Sequence, residues 1–308
     1  MSIAMRESFG KKLVELGKTN PKLVVLDADV SSSTKSILFG KAYPERFFNC
    51  GVAEANMVDV AAGLATCGYH PVVNAFAIFI ALKTGDQVRN VLCYNNLNVV
   101  LAGAYAGLSD SFDGASHQSI TDVAIMRALP NMQVIVPGDA RQAEQALEYA
   151  LSQNGPVYIR LNRNPMPDLP ENPDFGNGKV VVLEKGTDVT IAANGITATM
   201  ALEARKLLAE RGIDAEILSV PFVKPFDDDG LAASVAKTGK LVTVEEHNIV
   251  GGFASACLEA LARKRLSCTF EPIGIRDRFT ETGPYDSLLE TYGISAKNIV
   301  DTVLAMIR

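Results

Sequence analysis

This sequence lacks several features that mark common classes of protein. Its three histidines are far apart, and no CxxC or HExxH spacing occurs, which argues against a zinc site built by this chain alone. No apolar run is long enough to cross a bilayer, and the amphipathic segment after Met1 lacks a signal-peptide pattern. The five cysteines are odd in number and widely spaced, which predicts reduced, buried thiols in a cytoplasmic protein rather than disulfides.

Three motifs that hold phosphates or position nucleophiles are also missing. No GxGxxG follows a predicted strand, and neither GxxxxGK[ST] nor GxSxG occurs. These absences argue against dinucleotide-binding Rossmann domains, P-loop NTPases and hydrolases with a nucleophile elbow. The formal net charge of −6 argues against nucleic acid or an anionic membrane as the main partner. The chain has no obvious cradle for a diphosphate.

Continuous apolar runs alternate with helical patterns along the chain, which is typical of buried parallel sheets. Five such runs, ending near residue 162, precede a stretch rich in Pro, Asn and Gly, and four more follow it. We therefore predict an α/β protein of two doubly wound, mostly parallel-sheet domains, at residues 1–165 and 181–308, joined by a linker at 166–180.

One acidic residue interrupts an apolar stretch. From Val52 to Thr66 the residues are mostly Ala, Val, Leu, Met and Gly, which predicts a helix buried on nearly every side, and Glu54 lies in its first turn. A buried carboxylate needs a partner because its desolvation is costly. The partner is either the helix dipole, which favours acids at the N-terminus, or a ligand.

Polar clusters follow the predicted strands of the first half. The segment "DADVSSST" follows the first strand, and the long loop "AGAYAGLSDSFDGASHQS" follows the third. In doubly wound sheets, ligands bind beyond the carboxyl ends of the strands. Because long polar loops at this edge are commonly functional or mobile, we expect the site there.

Four motifs, in order and in spacing, resemble the pyrimidine-binding domain of transketolases: "GVAEANM", "FAIF", "DGASHQ" and "LPNMQVIVPGDA". The later segment "VTVEEHNIVGGFASACLEAL" resembles the C-terminal domain of that family. The family's diphosphate-binding domain, with its GDG…NN motif, has no counterpart here. The resemblance therefore implies one subunit of a split transketolase. A separate N-terminal subunit would hold Mg2+ and the diphosphate of thiamine diphosphate, in an α2β2 assembly.

The resemblance assigns cofactor-binding roles. Glu54 matches the glutamate that hydrogen-bonds the aminopyrimidine ring, and it is a predicted catalytic residue. Phe76 and Phe79 match the aromatic wall against that ring, although core packing is their ordinary explanation. A third aromatic of some relatives falls at Leu82. Asp29 matches an aspartate near the cofactor at the subunit interface, and a strand-end turn is the alternative explanation.

Two residues of "DGASHQ" match groups that contact the donor sugar. Asp113 and His117 are predicted to bind the sugar hydroxyls and the C1 end of the donor, and His117 is the second predicted catalytic residue. An imidazole with an ordinary pKa near 6.5 is suited to moving a proton at neutral pH. The alternative is a loop histidine without a chemical role. His247 is predicted to be structural or interfacial.

Four further positions match the phosphate-binding cluster of transketolases that act on sugar phosphates. Arg6, Ser33 and Arg163 supply two guanidiniums and a hydroxyl, the donors that a phosphomonoester prefers. A surface ion pair is the usual alternative for a single arginine. Tyr105 stands where several relatives have a histidine, so it can donate a hydrogen bond but brings no charge.

Three other functions remain open at this point. 1-Deoxyxylulose-5-phosphate synthase shares the glutamate motif but is normally one long chain that decarboxylates pyruvate. The β subunit of a 2-oxoacid dehydrogenase E1 component is naturally split but typically carries a different histidine loop. A catalytically silent partner of a thiamine enzyme is the non-enzymatic alternative, although the five motif residues Glu54, Phe76, Phe79, Asp113 and His117 are all present.

Overall fold

The computed structural model describes residues 3–172 and 174–307, which form two β-sheets with α-helices packed on their faces. The strands are β1 (Leu23–Asp27), β2 (Phe47–Asn49), β3 (His70–Phe76), β4 (Val100–Ala104), β5 (Gln133–Ile135), β6 (Val157–Arg160), β7 (Val181–Glu184), β8 (Val189–Ala193), β9 (Ala215–Ser219), β10 (Phe222–Lys224), β11 (Lys240–Asn248) and β12 (Thr269–Ile275).

Twelve α-helices are assigned within the described residues. They are α1 (Met5–Thr19), α2 (Ser31–Thr34), α3 (Ile37–Ala42), α4 (Glu54–Thr66), α5 (Ala77–Leu82), α6 (Asp122–Ala128), α7 (Ala140–Ser152), α8 (Thr197–Ala209), α9 (Asp228–Thr238), α10 (Phe253–Arg263), α11 (Tyr285–Thr291) and α12 (Ala296–Ile307). Each of these helices is too short or too polar to cross a membrane.

The first sheet has seven strands in the order β10-β5-β6-β4-β3-β1-β2, and the second has five in the order β12-β11-β8-β9-β7. All neighbours are parallel except β10 with β5 and β7 with β9, which are antiparallel. Strands β1 and β4 are buried at every position, as expected for parallel strands covered by helices on both faces. The predicted α/β class with two mostly parallel sheets is confirmed.

Helices cover both faces of the first sheet. Side chains of α1 and α7 form the apolar core on one face, including Phe9 and Leu147. The core on the other face combines Met57 of α4 with Leu231 of α9 and Phe253 of α10, which lie in the second half of the chain. The two halves therefore share one continuous apolar core.

The short strand β10 belongs to the first sheet although it lies in the second half of the chain. Phe222 pairs with Ile135 of β5, and its ring contacts Tyr149 and Phe175 at centroid distances of 5.0 and 5.2 Å. The boundaries that we predicted, 1–165 and 181–308, stay a prediction, and they did not anticipate this returning strand. A three-residue strand with no alternating pattern leaves no periodic signal.

Some local predictions were wrong. The helical pattern of the sequence predicts one helix near 79–93, but the structure has α5 followed by a π-helical segment, Gln87–Cys93, with Gly85 between them. The stretch from Val52 to Thr66 is not buried all round, because Val52 is 73% exposed and Val60 is 39% exposed. All five cysteines are free, but only Cys93 and Cys257 are buried as predicted, whereas Cys50 and Cys268 are half-buried and Cys67 is exposed.

Candidate functional site

Most of the predicted site residues gather at the carboxyl edge of the first sheet. Phe76 is the last residue of β3, Tyr105 directly follows β4, and Arg163 lies three residues after the end of β6. Adjacent strands β3, β4 and β6 run parallel, so their ends meet at one edge. Tyr105 has a φ of 59°, a left-handed conformation that non-glycine residues seldom adopt outside functional or tightly packed sites.

Glu54 is the first residue of α4, and only 6% of its side chain is exposed. Its carboxylate oxygens accept hydrogen bonds from Lys83 Nζ at 3.2 and 3.4 Å. Lys83 follows α5 and was not predicted as a site residue, because nothing in the local pattern distinguishes it from a surface lysine. The partner of the buried acid within this chain is therefore an ammonium group.

An aromatic cluster lies near Glu54, because Lys83 Nζ, which donates to Glu54, is 4.1 Å from the centroid of the Phe79 ring. The rings of Phe76 and Phe79 have centroids 6.0 Å apart, and Tyr105 packs against Phe76 at 4.7 Å. The His117 imidazole contacts Phe79 edge-on at 5.1 Å. Phe76 and Phe79 are both half-buried, so part of each ring is accessible. Geometry thus brings together both predicted aromatics and the predicted catalytic histidine.

The loop that carries Asp113 and His117 is held by short-range contacts and by the second half of the chain. His117 N donates to the Gly114 carbonyl at 2.9 Å, and Ser116 Oγ lies 2.9 Å from His117 Nδ1. Gly114 has a φ of 77°, and a Cβ at this position would lie 2.5 Å from Thr282 Oγ1. The loop therefore needs glycine at position 114 to approach the 280–283 segment this closely.

The buried carboxylate of Glu246 accepts hydrogen bonds that hold the start of the same loop in place. Glu246 Oε1 accepts hydrogen bonds from Leu108 N at 2.8 Å and from the Tyr285 hydroxyl at 2.9 Å, while Oε2 accepts from Asn162 Nδ2 at 3.1 Å. Burial raises the pKa of Glu246 to about 7, although Arg160 and these donors oppose the rise. The sequence motif "VEEHN" suggested a structural role only for His247, so Glu246 was missed.

The predicted phosphate cluster also assembles. Arg6 Nη1 donates to the Ser33 carbonyl at 3.0 Å and to the Tyr105 hydroxyl. The guanidinium carbons of Arg6 and Arg163 lie 5.2 and 4.7 Å from the centroid of the Tyr105 ring. Both arginines therefore pack against one tyrosine ring.

Asp110 is an additional acid that the sequence analysis did not single out. It is fully buried, and its Oδ1 accepts from Arg163 Nη1 at 3.4 Å. Burial and the neighbouring Asp113 carboxyl raise the pKa of Asp110 to about 7, although Arg163 opposes the rise. The buried Oδ2 of Asp110 has no hydrogen-bond partner in the described part of the chain. The net charge of the Arg163–Asp110 pair, and so its attraction for an anion, thus depends on whether Asp110 carries a proton.

Asp29 lies apart from the other predicted residues. It is exposed after β1 with a φ of 65°, and its Oδ1 accepts from Asn49 Nδ2 at 2.8 Å. No polar contact among the described residues joins it to Glu54 or to either arginine. Its assignment to the cofactor therefore stays a prediction, and the strand-end turn that we considered as the alternative describes its local contacts.

The residues at this edge fit one part of thiamine diphosphate. A buried carboxylate beside two accessible aromatic rings is suited to an aminopyrimidine, which offers hydrogen-bond donors at its edge and a flat apolar face. In contrast, no group of three or more His, Cys, Asp or Glu side chains in residues 3–172 and 174–307 is placed to hold a metal ion. The edge thus has the chemistry for the ring.

Comparisons with known proteins identify the family. The model of the transketolase pyrimidine binding domain matches residues 1–168, and the model of the transketolase C-terminal domain matches residues 178–299. The chain belongs to the transketolase family. A putative transketolase C-terminal section of Methanocaldococcus jannaschii is 41% identical, covering 97% of this chain and 95% of that protein.

Two further transketolase relatives have informative names. The 6-deoxy-6-sulfo-D-fructose transketolase subunit SqwH of Clostridium sp. strain MSTE9 is 40% identical, covering 96% of this chain and 92% of its own length. A solved structure described as "Split gene transketolase, inactive beta4 tetramer" is 45% identical with a TM-score of 0.89, covering 100% of this chain and 99% of that one. The predicted resemblance to C-terminal subunits of split transketolases is confirmed.

Proposed function

We propose that this protein is the C-terminal subunit of a thiamine diphosphate-dependent transketolase that transfers a two-carbon ketol unit from a ketose phosphate to an aldose phosphate. The observation that carries the proposal is the buried Glu54 carboxylate beside the accessible rings of Phe76 and Phe79. Relatives named as transketolase C-terminal sections or subunits match at 40–41% identity over more than 90% of their length, which supports it.

Each site residue has a task in this proposal. When bound, thiamine diphosphate supplies the nucleophilic and electron-accepting chemistry for breaking the ketose carbon–carbon bond. Glu54 binds the ring nitrogen N1′ through a carboxylate oxygen and holds a proton at that position. Phe76 and Phe79 bind the ring face and keep water away from it. His117 donates or accepts a proton at the donor sugar, and Asp113 orients its hydroxyl groups.

In this proposal, the far end of the substrate is bound by four residues: Arg6, Ser33, Tyr105 and Arg163. Two guanidiniums within 5.2 Å of one tyrosine ring favour an anionic terminal group, because charge-assisted hydrogen bonds are about twice as strong as neutral ones. The buried Asp110 beside Arg163 reduces the local positive charge. A sugar phosphate is therefore the proposed substrate class, with the proton on Asp110 adjusting the charge of the pocket.

A separate polypeptide completes the site in this proposal. Mg2+ and the diphosphate are held by the N-terminal transketolase subunit, in an α2β2 assembly. Apolar side chains exposed near the site support such contacts, since Val52, Leu82 and Phe112 are 73%, 58% and 67% exposed. Exposed apolar groups that cluster on one surface are typical of regions that meet another chain.

A second candidate is supported by one comparison. The 1-deoxy-D-xylulose-5-phosphate synthase of Thermomicrobium roseum is 38% identical over 98% of this chain, which spans 48% of that enzyme. Such an enzyme would release carbon dioxide from pyruvate instead of splitting a ketose. The choice of donor therefore distinguishes the two candidates.

Reconstitution tests the proposal. The purified chain is mixed with a diphosphate-domain subunit, thiamine diphosphate and Mg2+, and ketol transfer between sugar phosphates is assayed beside pyruvate decarboxylation. We expect transfer from the mixture and none from the chain alone. Full transfer by the chain alone would contradict the shared site, and carbon dioxide release from pyruvate would favour the second candidate.

Glu54→Gln is the matched inactive variant for this assay. Gln has the same shape but cannot hold the proton at N1′, so we expect turnover to fall by roughly 100-fold or more. The melting temperature of the free chain reports whether the fold survives. Near-normal turnover in Glu54→Gln would rule out the proposed role of this carboxylate.

A further inference from the structure

Lys83 makes two contacts with the residues assigned to the aminopyrimidine ring. Its Nζ donates to both carboxylate oxygens of Glu54, at 3.2 and 3.4 Å, and lies 4.1 Å from the centroid of the Phe79 ring. The side chain thus combines a hydrogen bond to the carboxylate with contact on an aromatic face. These are the interactions that the proposed function assigns to the cofactor ring.

We propose that Lys83 is a displaceable substitute for the aminopyrimidine, which satisfies Glu54 until the ring binds and then leaves it. The inference rests on the proposed function of Glu54 and Phe79. Because the ammonium and the ring need the same carboxylate oxygens and the same ring face, they compete. Lys83 is therefore a positioning residue that sets the cost of cofactor entry.

The burial of the two partners differs in the way that such a substitute requires. Only 6% of the Glu54 side chain is exposed, whereas 47% of the Lys83 side chain is exposed. An unpaired carboxylate at that depth is costly, so Glu54 needs a partner at all times. Lys83 can move its ammonium into water at small cost, because a long flexible side chain with an exposed head is easily resolvated.

The local backbone also allows the exchange. Lys83 lies at the end of α5, and Gly85 follows two residues later, before the π-helical segment Gln87–Cys93. A Cβ at Gly85 would meet no heavy atom within 4 Å, so the space beside this glycine is open. Because the Lys83 side chain is 47% exposed, it can leave Glu54 towards solvent.

Cofactor affinity tests the competition directly. The assembled complex is titrated with thiamine diphosphate by calorimetry, using wild type, Lys83→Met and Lys83→Arg. Because Met leaves the carboxylate free for the ring, we expect Lys83→Met to bind about two- to fivefold more tightly, the range for a half-exposed ion pair. Lys83→Arg should stay near the wild-type affinity.

Two results would overturn the proposal. Weaker binding by Lys83→Met would show that Lys83 remains a cofactor ligand, and unchanged binding would show that the ion pair is only structural. Lys264→Met is the matched control, since Lys264 pairs with Asp229 on the second half of the chain and is also partly exposed. If neither wild type nor any variant binds the cofactor, the proposed function fails, and this inference fails with it.

Stability of the free chain supplies an independent measurement. Lys83→Met should lower the urea midpoint, because Glu54 then lacks its partner. In a Glu54→Gln background the same substitution should have little effect, since the neutral amide needs no ammonium. An equal loss of stability in both backgrounds would mean that Lys83 stabilises the chain through packing, contrary to the proposal.

Discussion

Two polar clusters in this protein differ in accessibility and in what they join. The predicted site at the carboxyl edge of the first sheet contains half-buried rings, a half-exposed lysine and an arginine that is one-third exposed. The second cluster joins the two halves of the chain: Arg160 donates to Asp122 at 2.9 Å, to the Ser119 carbonyl at 3.0 Å and to the Glu246 carbonyl at 2.9 Å. Its charged members are almost completely buried.

Protonation states reinforce the contrast. Burial pushes the pKa of Asp122 upward, but Arg160 and His247 hold it below its ordinary value. Burial also lowers the pKa of His247 to about 4, so this residue is neutral at pH 7, and its contact with Ala124 N fits the predicted interfacial role. The Arg160–Asp122 pair therefore keeps its charges at neutral pH, whereas Asp110, the partner of Arg163 in the open cluster, has a pKa of about 7. A pair with fixed charges suits structure, whereas an arginine whose buried partner gains or loses its charge near neutral pH suits binding.

The largest expected effect comes from opening the closed cluster. Arg160→Met removes the partner of Asp122 and three hydrogen bonds, and breaking a buried ion pair typically costs about 3–5 kcal/mol of unfolding free energy. Urea denaturation of the purified chain measures it. Arg163→Met, at the open site, is the matched control and should lose less, because Asp110 has a pKa of about 7 and can take up a proton when its partner is removed. Equal losses would remove the distinction between the two clusters.

A smaller effect is expected on substrate binding when the open cluster loses a charge. Arg163→Ala should raise the KM for phosphorylated donors by roughly 10–100-fold, because a hydrogen bond to a charged group contributes about 1.5–3 kcal/mol. The kcat should change little. Steady-state kinetics of the assembled enzyme with phosphorylated and unphosphorylated ketoses checks this. The phosphate assignment is wrong if both donors are affected alike.

The smallest expected effect concerns pH. The pKa of Asp110 is raised in the fold, so the folded state binds a proton more tightly than the unfolded chain does. The stabilisation that comes from this proton is present below about pH 4 and is lost as the pH rises through 7. Asp110→Asn resembles the protonated form. The stability of this variant relative to wild type should therefore increase across that pH range, and its melting temperature should be higher by about 2–4 °C at pH 7.5.

The difference between the two melting profiles isolates Asp110, because Glu245 and Glu246, whose pKa values are also about 7, are common to both proteins. Asp301→Asn, on the exposed side of α12, should show no such pH trend. A variant profile parallel to wild type would mean that Asp110 stays ionised throughout.

Much of the fold was predictable because its main strands are continuous apolar runs. Of the nine predicted runs, the five before the Pro-rich stretch contain β1, β3, β4, β5 and β6, and the four after it match β8, β9, β11 and β12. The helix predicted from Val52 to Thr66 is α4, which begins at Glu54. The short elements α2, β2 and β10 were missed, since three or four residues give no periodicity. Their positions depend on contacts between distant parts of the chain.

The site was predictable only where a motif carried it. Glu54, Phe76, Phe79, Tyr105 and His117 lie in short segments that resemble a known family, and the structure brings Phe76, Phe79, Tyr105 and His117 into contact. Lys83 and Asp110 were missed because each acts through one long-range partner, Glu54 at a separation of 29 residues and Arg163 at 53. Pairings of that kind leave no trace in local spacing.

The returning strand β10 has a practical consequence for dissecting this molecule. A fragment ending in the Pro-rich segment would retain Gln133–Ile135 but lose Phe222–Lys224, and so would present a bare sheet edge and an uncovered pocket beside Tyr149. Unpaired edges of this sort recruit other chains and promote aggregation. Cutting the polypeptide between the regions matched by its two family models would therefore produce fragments that aggregate, not domains that fold independently.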